Sequence, residues 1–470
     1  MIPPLQDTAY RPAPRIRALA DWLGDPVGAA DFPETILRLR NDRAAAQVGL
    51  GALSDEDWLC HFGRFAPLAD NLPQPLALRY HGHQFRVYNP ELGDGRGFLF
   101  AQMLDGAGRL MDLGTKGSGQ TPWSRRGDGR LTLKGAVREA LATEMLEALG
   151  VNTSRTFSIV ETGEALWRGD EPSPTRSAVL VRLSHGHIRF GTFQRLAALE
   201  APKEMAQLVQ YCLASFPGAP GPEGASPAAR LLNQVVERMA DLAASYMVAG
   251  FVHGVLNTDN MNVSGESFDY GPWRFLPRWD AGFTAAYFDE GGLYAFGRQP
   301  EAIHWNCGQL AVALRLLEDS PPLVEALQRF PDLYREAMAR RWCWRLGVEP
   351  QGVEADSALV AACEQVMVAD KVAPDALFFG WRGGRRPPFA GSDEATALSK
   401  LLDRYVPTAG DHPYWRDDAP QSMLIDEVEA IWAPIAESDD WSSFNDKIAA
   451  LRRAGEAHGM PPRPAGHAGD

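Results

Sequence analysis

HGVLNTDNMNVSGESFDYGP, residues 253–272, is the densest polar stretch of the chain, and the rest is read outward from it. It follows a helix-periodic run over 228–249, so it reads as a loop leaving the end of a helix. Asn260 and Asp269 offer the hard oxygen donors that a divalent cation such as Mg²⁺ takes. Asp259 is the carboxylate in the first half of the loop. The same residue types also build turns whose side chains bond their own backbone, and that reading stays open beside the first.

Upstream, LGDGRG (92–97) sets Gly93, Gly95 and Gly97 at alternate positions before an apolar run. Alternate glycines let backbone N–H groups approach phosphate oxygens, though a plain hairpin turn has the same composition. Short apolar runs at 97–103 and 110–113, and again at 155–160 and 178–183, read as strands. Lys116 closes the stretch LMDLGTK (110–116) that the second of these runs opens. The helical stretch 131–150 follows, carries Glu139, and sets Val137, Leu141, Met145 and Leu149 on one face before Gly150. Glycine loop, strand lysine, helix glutamate is the order in which protein-kinase lobes build a phosphate clamp. A lysine at a strand end is otherwise a solvated edge residue.

Against the kinase catalytic loop, His253 and Asn260 fall in register, and Asp269-Tyr-Gly271 aligns with D-F-G. Val255 stands where a kinase has its catalytic aspartate, which leaves Asp259 as the carboxylate nearest that place. Arg182 and Arg189 flank SHGHI (184–188). They suit either a polyphosphate or a strand exit in water. His81-Gly-His83 and His185-Gly-His187 lack a third ligand at metal-site spacing and read as structural histidines.

Composition bounds the rest. Lys+Arg 46 against Asp+Glu 60 leaves a net charge of −14, which argues against a broad nucleic-acid surface. A hydrophobic fraction of 45% supports a sizeable core. Five cysteines without a CxxC pair point to a reducing compartment. The first residues lack the apolar core of a secretory signal, and no run approaches ~18 apolar residues, so a cytoplasmic location is expected. The expected architecture is α+β, with two lobes like those of a protein kinase. A helical extension (1–75) precedes a β-rich N-lobe (76–195). A helical C-lobe (196–400) follows, then a C-terminal helical segment with a disordered tail (401–470). The Pro/Gly-rich stretch 216–227 reads as an exposed loop.

YHGHQF, LGDGRG, KGSGQTPWSRRGDGR, REAL, VLVRL, HIRFG, HGVLNTDNM and FDYGP, in this order, resemble the selenoprotein O family over roughly 73–316. The resemblance implies a pseudokinase that binds ATP flipped relative to ordinary kinases and transfers AMP to Ser, Thr or Tyr hydroxyls of proteins, itself among them. It implies that Gly93, Gly95 and Arg96 cover the nucleotide, that Lys116 grips phosphate, and that Glu139 is its ion-pair partner. Asp128, Gly129, Arg182 and Arg189 would contact the inverted nucleotide. Asn260 and Asp269 would hold Mg²⁺ or Mn²⁺, and Asp259 would be the acceptor base. Some members are described as using UTP. Phe85-Arg86 replaces the family's usual Phe-Gly, and the C-terminal third is shorter. The sequence ends in RPAGHAGD without the cysteine or selenocysteine that serves redox control in other members, so the resemblance does not extend to that control. The same motifs would also serve a conventional phosphotransferase, against which Val255 speaks, or a nucleotide-binding scaffold without turnover.

Overall fold

The computed structural model describes residues 9–387, 391–408 and 410–462. An eight-stranded antiparallel sheet forms its β-rich part. From edge to edge the strands run Gly24–Pro26, Leu76–Leu78, Leu99–Leu104, Leu110–Lys116, Thr175–Ser184, Arg155–Leu166 and Ile36–Arg40, with Leu131–Thr132 beside Thr175–Ser184. Strand pleating divides the side chains between two cores. Along Thr175–Ser184, Val179, Val181 and Leu183 pack with Trp58, Phe62, Phe100 and Phe157 on one face. Ala178 and Leu180 point the other way, into the cluster of Val137, Leu141 and Met145 from the helix Leu133–Ala148.

That helix starts where Thr132 Oγ1 accepts a hydrogen bond from Gly135 N at 3.1 Å. It is followed by Gly150, whose φ of +74° and close approach to the Trp344 ring leave no room for a side chain. All four residues of the expected apolar face are buried. Ala136, Ala140 and Leu146 are buried as well, because the helices Ile425–Ser438 and Ser442–His458 pack against it.

The helical lobe is built around Pro227–Ala249, which is buried along nearly its whole length against Phe330–Leu346, Gln299–Leu314 and Ser320–Gln328. The helix ends at Gly250, with φ +63°. Phe251–Val252 then pairs antiparallel with Arg274–Phe275, and these two short strands bracket the polar loop between them. This α+β arrangement, a sheet with one packed helix followed by a helical lobe, is the kinase-like architecture expected.

The helical reading of residues 1–75 needs correcting. The helices Asp42–Gln47 and Asp55–Phe62 are present, the latter capped by Ser54 Oγ, which accepts from Asp57 N at 3.1 Å. Gly24–Pro26 and Ile36–Arg40, however, are strands at the two edges of the sheet. Ile36–Arg40 reads I-L-R-L-R, with basic residues alternating late in the strand. Arg38 pairs with Glu161 at 2.6 Å and Arg40 with Asp55 at 2.9 Å. Ion pairs to neighbouring elements thus fix a strand whose apolar signal is short. Of the tail expected to be disordered, residues 463–470 lie outside the described residues.

Candidate active site

Lys116 ends its strand opposite Leu180, and Arg182 follows two residues along the partner strand, so the pleat sends both side chains toward the Leu133–Ala148 helix. Glu139 meets them there. Lys116 Nζ lies 2.5 Å from Glu139 Oε2, and Arg182 Nη1 lies 3.4 Å from Oε1. Lys116 and Glu139 are 4% and 1% exposed, so the ion pair is sealed from water.

Asp269 joins the clamp from the loop, its backbone held at φ +63°. Its Oδ1 stands 2.8 Å from Lys116 Nζ and 3.9 Å from Arg182 Nη1. Burial pushes its pKa up, but the charges of Lys116, Arg182, Arg96 and Arg189 outweigh burial and hold the carboxyl well below its ordinary value. His253 anchors the start of the loop. Its N–H donates to Gln299 Oε1 at 3.0 Å, and its ring Nε2 lies 3.1 Å from the Phe268 carbonyl. Burial lowers the His253 pKa, which favours a neutral ring with Nε2–H donating.

Asp259 sits in the 3₁₀ turn Thr258–Asn260 and is 9% exposed. Arg189 Nη1 donates to its backbone carbonyl at 2.7 Å. Its Oδ1 is buried with no hydrogen-bond partner among the described residues. Burial raises the carboxyl to about 6, with Arg189 and, more weakly, Arg125 pulling the other way. Gly82 forms one wall, since a Cβ there would stand 3.1 Å from Asp259 Oδ1. Asn260 Nδ2 donates to the Val255 carbonyl at 2.9 Å, so its amide nitrogen is committed and its carbonyl oxygen is the atom left to accept. The Asn260 oxygen and the ionised Asp269 carboxylate are hard oxygen donors of the kind a divalent cation takes.

The structure therefore brings Lys116, Glu139, Arg182 and Asp269 into direct contact. It brings Arg189 to Asp259 and sets Asn260 beside Asp259 in one turn. Arg96 is exposed and acts on Asp269 through its charge. The glycine loop is covered by the next loop. A Cβ on Gly93 would stand 2.4 Å from the Trp123 ring and one on Gly95 2.9 Å from the Trp123 carbonyl, while Thr121 Oγ1 donates to the Asp94 carbonyl at 2.6 Å. Asp128 is exposed and pairs with Arg168 at 2.8 Å rather than with the clamp. Gly129, at φ +70°, crosses Gly119 so closely that its Cβ would fall 2.2 Å from that backbone.

Sequence reasoning missed several participants. Asp94, inside the glycine loop, pairs with Arg189 Nη2 at 3.2 Å, and its other oxygen accepts from Leu78 N at 3.0 Å. Tyr80 and Phe268 flank the Arg189 guanidinium at 4.6 and 4.7 Å, a cation–π sandwich. The hairpin of YHGHQF straps the polar loop. His83 N donates to Thr258 Oγ1 at 2.7 Å and Phe85 N to Asn257 Oδ1 at 3.0 Å. The four histidines of the two His-Gly-His pairs make local contacts, to Tyr88, Gln194, the Leu110 carbonyl and Asp112.

The sequence model of the family described as protein adenylyltransferase SelO matches residues 5–400. A relative from Synechocystis sp., named protein nucleotidyltransferase YdiU, is 42% identical, covering 96% of this chain and 99% of its own length. A relative of the same name from Gloeobacter violaceus is 43% identical over 96% of each chain. Among solved structures, ROP2 from Toxoplasma gondii, described as a virulence factor with a protein-kinase fold and no enzymatic activity, covers 70% of this chain and 82% of its own. It does so at 12% identity and a TM-score of 0.25, too loose a superposition to carry weight beside the sheet order and the Lys116–Glu139 pair. This chain belongs to the SelO family of protein adenylyltransferases.

Proposed function

We propose that this enzyme transfers AMP from ATP to Ser, Thr or Tyr hydroxyls of proteins, its own included, in the cytoplasm. ATP is held flipped so that its α-phosphate faces the acceptor. The observation that carries the reading is the vacancy at Val255 combined with the unpartnered, buried Oδ1 of Asp259 four residues on. A base displaced from the kinase position suits a displaced phosphorus.

Asp259 takes the acceptor proton while the hydroxyl oxygen bonds to the α-phosphorus. The bond from that phosphorus to the bridging oxygen breaks, and pyrophosphate leaves. Lys116, aimed by Glu139, together with Arg182 and Arg189, offsets the charge gathering on the phosphates. Arg96, Gly93 and Gly95 form the covering edge, and Gly129 and Asp128 shape the adjoining loop. A Mg²⁺ or Mn²⁺ held by Asn260 and Asp269 would add positive charge at the phosphates when bound. UTP is a candidate second donor. Among the described residues no helix is long and apolar enough to cross a membrane, which is compatible with the cytoplasmic assignment.

The test uses ATP labelled at the α- or the γ-phosphate in separate incubations with acceptor protein. Label arriving from the α position, with pyrophosphate released, is the expected result. Label arriving only from the γ position would make the enzyme a conventional phosphotransferase.

A further inference from the structure

The turn Thr258–Asn260, which carries Asp259, is tied into a closed ring of hydrogen bonds. Thr258 is fully buried and Gln194 is 5% exposed. Thr258 Oγ1 accepts from His83 N at 2.7 Å and donates to Gln194 Oε1 at 2.7 Å, while Gln194 Nε2 lies 2.7 Å from His83 Nδ1. Three elements meet in this ring: the hairpin strand Gly82–Gln84, the turn itself, and the helix Phe190–Ala198, which opens directly after Arg189.

The proton positions follow from the partners. The Thr258 oxygen receives the His83 N–H, so its own hydroxyl proton points to Gln194 Oε1. The amide is thereby fixed with its NH₂ end toward His83, and Nδ1 must accept. His83 is therefore neutral, with its ring proton on Nε2. Burial lowers its pKa, which favours the same form. The ring stands 5.2 Å from that of Tyr88 and 5.4 Å from that of Trp305. Of the charges on the elements packed there, Arg86 and Glu301 pair at 3.0 Å, Arg195 adjoins Gln194 on its helix, and Asp259 lies behind Gly82.

Asp259 depends on this ring because its Oδ1 has no hydrogen-bond partner among the described residues. Its backbone is what holds it. Arg189 Nη1 donates to its carbonyl, the ring grips Thr258 one residue before it, and Asn257 Oδ1 accepts from Phe85 N at 3.0 Å and from Tyr294 Oη at 2.7 Å. We infer that Gln194 and His83 are positioning residues for the acceptor base, closing a ring that keeps the hairpin, the helix behind Arg189 and the Asp259 turn in one register. Without the ring the turn shifts and the carboxyl misses the acceptor hydroxyl. Lys116, Glu139 and Arg182, on other elements, still hold the nucleotide. The inference rests on reading Asp259 as the base of the proposed transfer.

The test uses full-length wild type, Gln194→Leu and Gln194→Glu. In wild type labelled with ¹⁵N-histidine, at neutral pH, the His83 signals, assigned by their loss in His83→Gln, should show a bare Nδ1 and a protonated Nε2. Gln194→Leu opens the ring, and kcat with α-labelled ATP should fall about tenfold while KM for ATP stays within about twofold. Gln194→Glu offers two acceptor oxygens, so its ring closes only when His83 carries a second proton. The same spectra should then show His83 doubly protonated, and kcat should return to within about threefold of wild type. This variant also keeps the test decisive should Gln194→Leu not fold. A protonated Nδ1 in wild type, an unchanged kcat or a KM rise matching the loss of kcat in Gln194→Leu, or a Gln194→Glu enzyme no faster than Gln194→Leu would overturn the assignment. Should wild type transfer no AMP, the functional reading fails, while the His83 spectra still decide whether the ring exists.

Discussion

Lys116 Nζ lies 2.8 Å from Asp269 Oδ1 while it also holds Glu139 at 2.5 Å, so one ammonium links the helix and the polar loop. Replacing it with alanine leaves Glu139, 1% exposed, with Arg182 at 3.4 Å as its remaining partner. Breaking a buried ion pair by removing one partner costs about 3 kcal/mol, so Lys116→Ala should unfold at clearly lower urea than wild type. It should also lose the stabilisation that ATP confers. Equal urea midpoints would mean that the pair is not sealed as described.

Asp259 yields a pH prediction. Burial raises its carboxyl from 3.8 to about 6 in the folded protein. A raised acid binds more protons folded than unfolded, so its contribution to stability is full below pH 3.8 and is lost as pH rises toward 6. Asp259→Asn carries no such loss. Measured without metal, the variant should match wild type near pH 4 and exceed it in thermal midpoint above pH 6, by an increment that no longer grows. If Asp259 is the acceptor base, the transfer rate should fall by about two to four orders of magnitude above pH 6 and by less below it, where the wild-type carboxyl is itself protonated.

Gly93 meets the Trp123 ring at a distance that no Cβ tolerates, 2.4 Å. Gly93→Ala must therefore displace Trp123, whose Nε1 donates to Asp25 Oδ2 at 2.9 Å. The expected cost is about 1–3 kcal/mol in thermal or urea unfolding. Trp123→Ala in the same chain should return part of it by vacating the space. A Gly93→Ala protein as stable as wild type would show that the two loops are not packed in this way.

Residues differ in how much of their role the sequence carried. Lys116 and Glu139 were legible because strand end and helix face follow from alternation and periodicity, and their order along the chain mirrors a known clamp. Ile36–Arg40 was not, because its partners Glu161 and Asp55 come from distant elements and a short strand held by ion pairs has little apolar pattern. Asp94 was hidden by its setting, since an aspartate between glycines reads as a turn residue whether or not it faces an arginine. Asp128 matched a family motif, yet its side chain bonds Arg168. Gln194 lies 64 residues along the chain from Thr258, and no local pattern links them.

Asp94 offers the most direct check on Arg189. Its Oδ2 accepts from Leu78 N and its Oδ1 faces Arg189 Nη2. Asp94→Asn keeps an oxygen for Leu78 but removes the charge opposite Arg189, which is 5% exposed. The guanidinium keeps the Asp259 carbonyl and its two aromatic neighbours, so it stays in place, buried, without its ion-pair partner and with only the more distant charges of Asp259 and Asp269 acting on it. The nucleotide-free variant should therefore lose about 3 kcal/mol of stability. If Arg189 faces the phosphates, ATP supplies the missing negative charge, and the ATP-induced rise in thermal midpoint should be larger in the variant than in wild type. An equal rise in both proteins would place Arg189 outside the phosphate site and leave it a purely structural link between the glycine loop and the turn that carries Asp259.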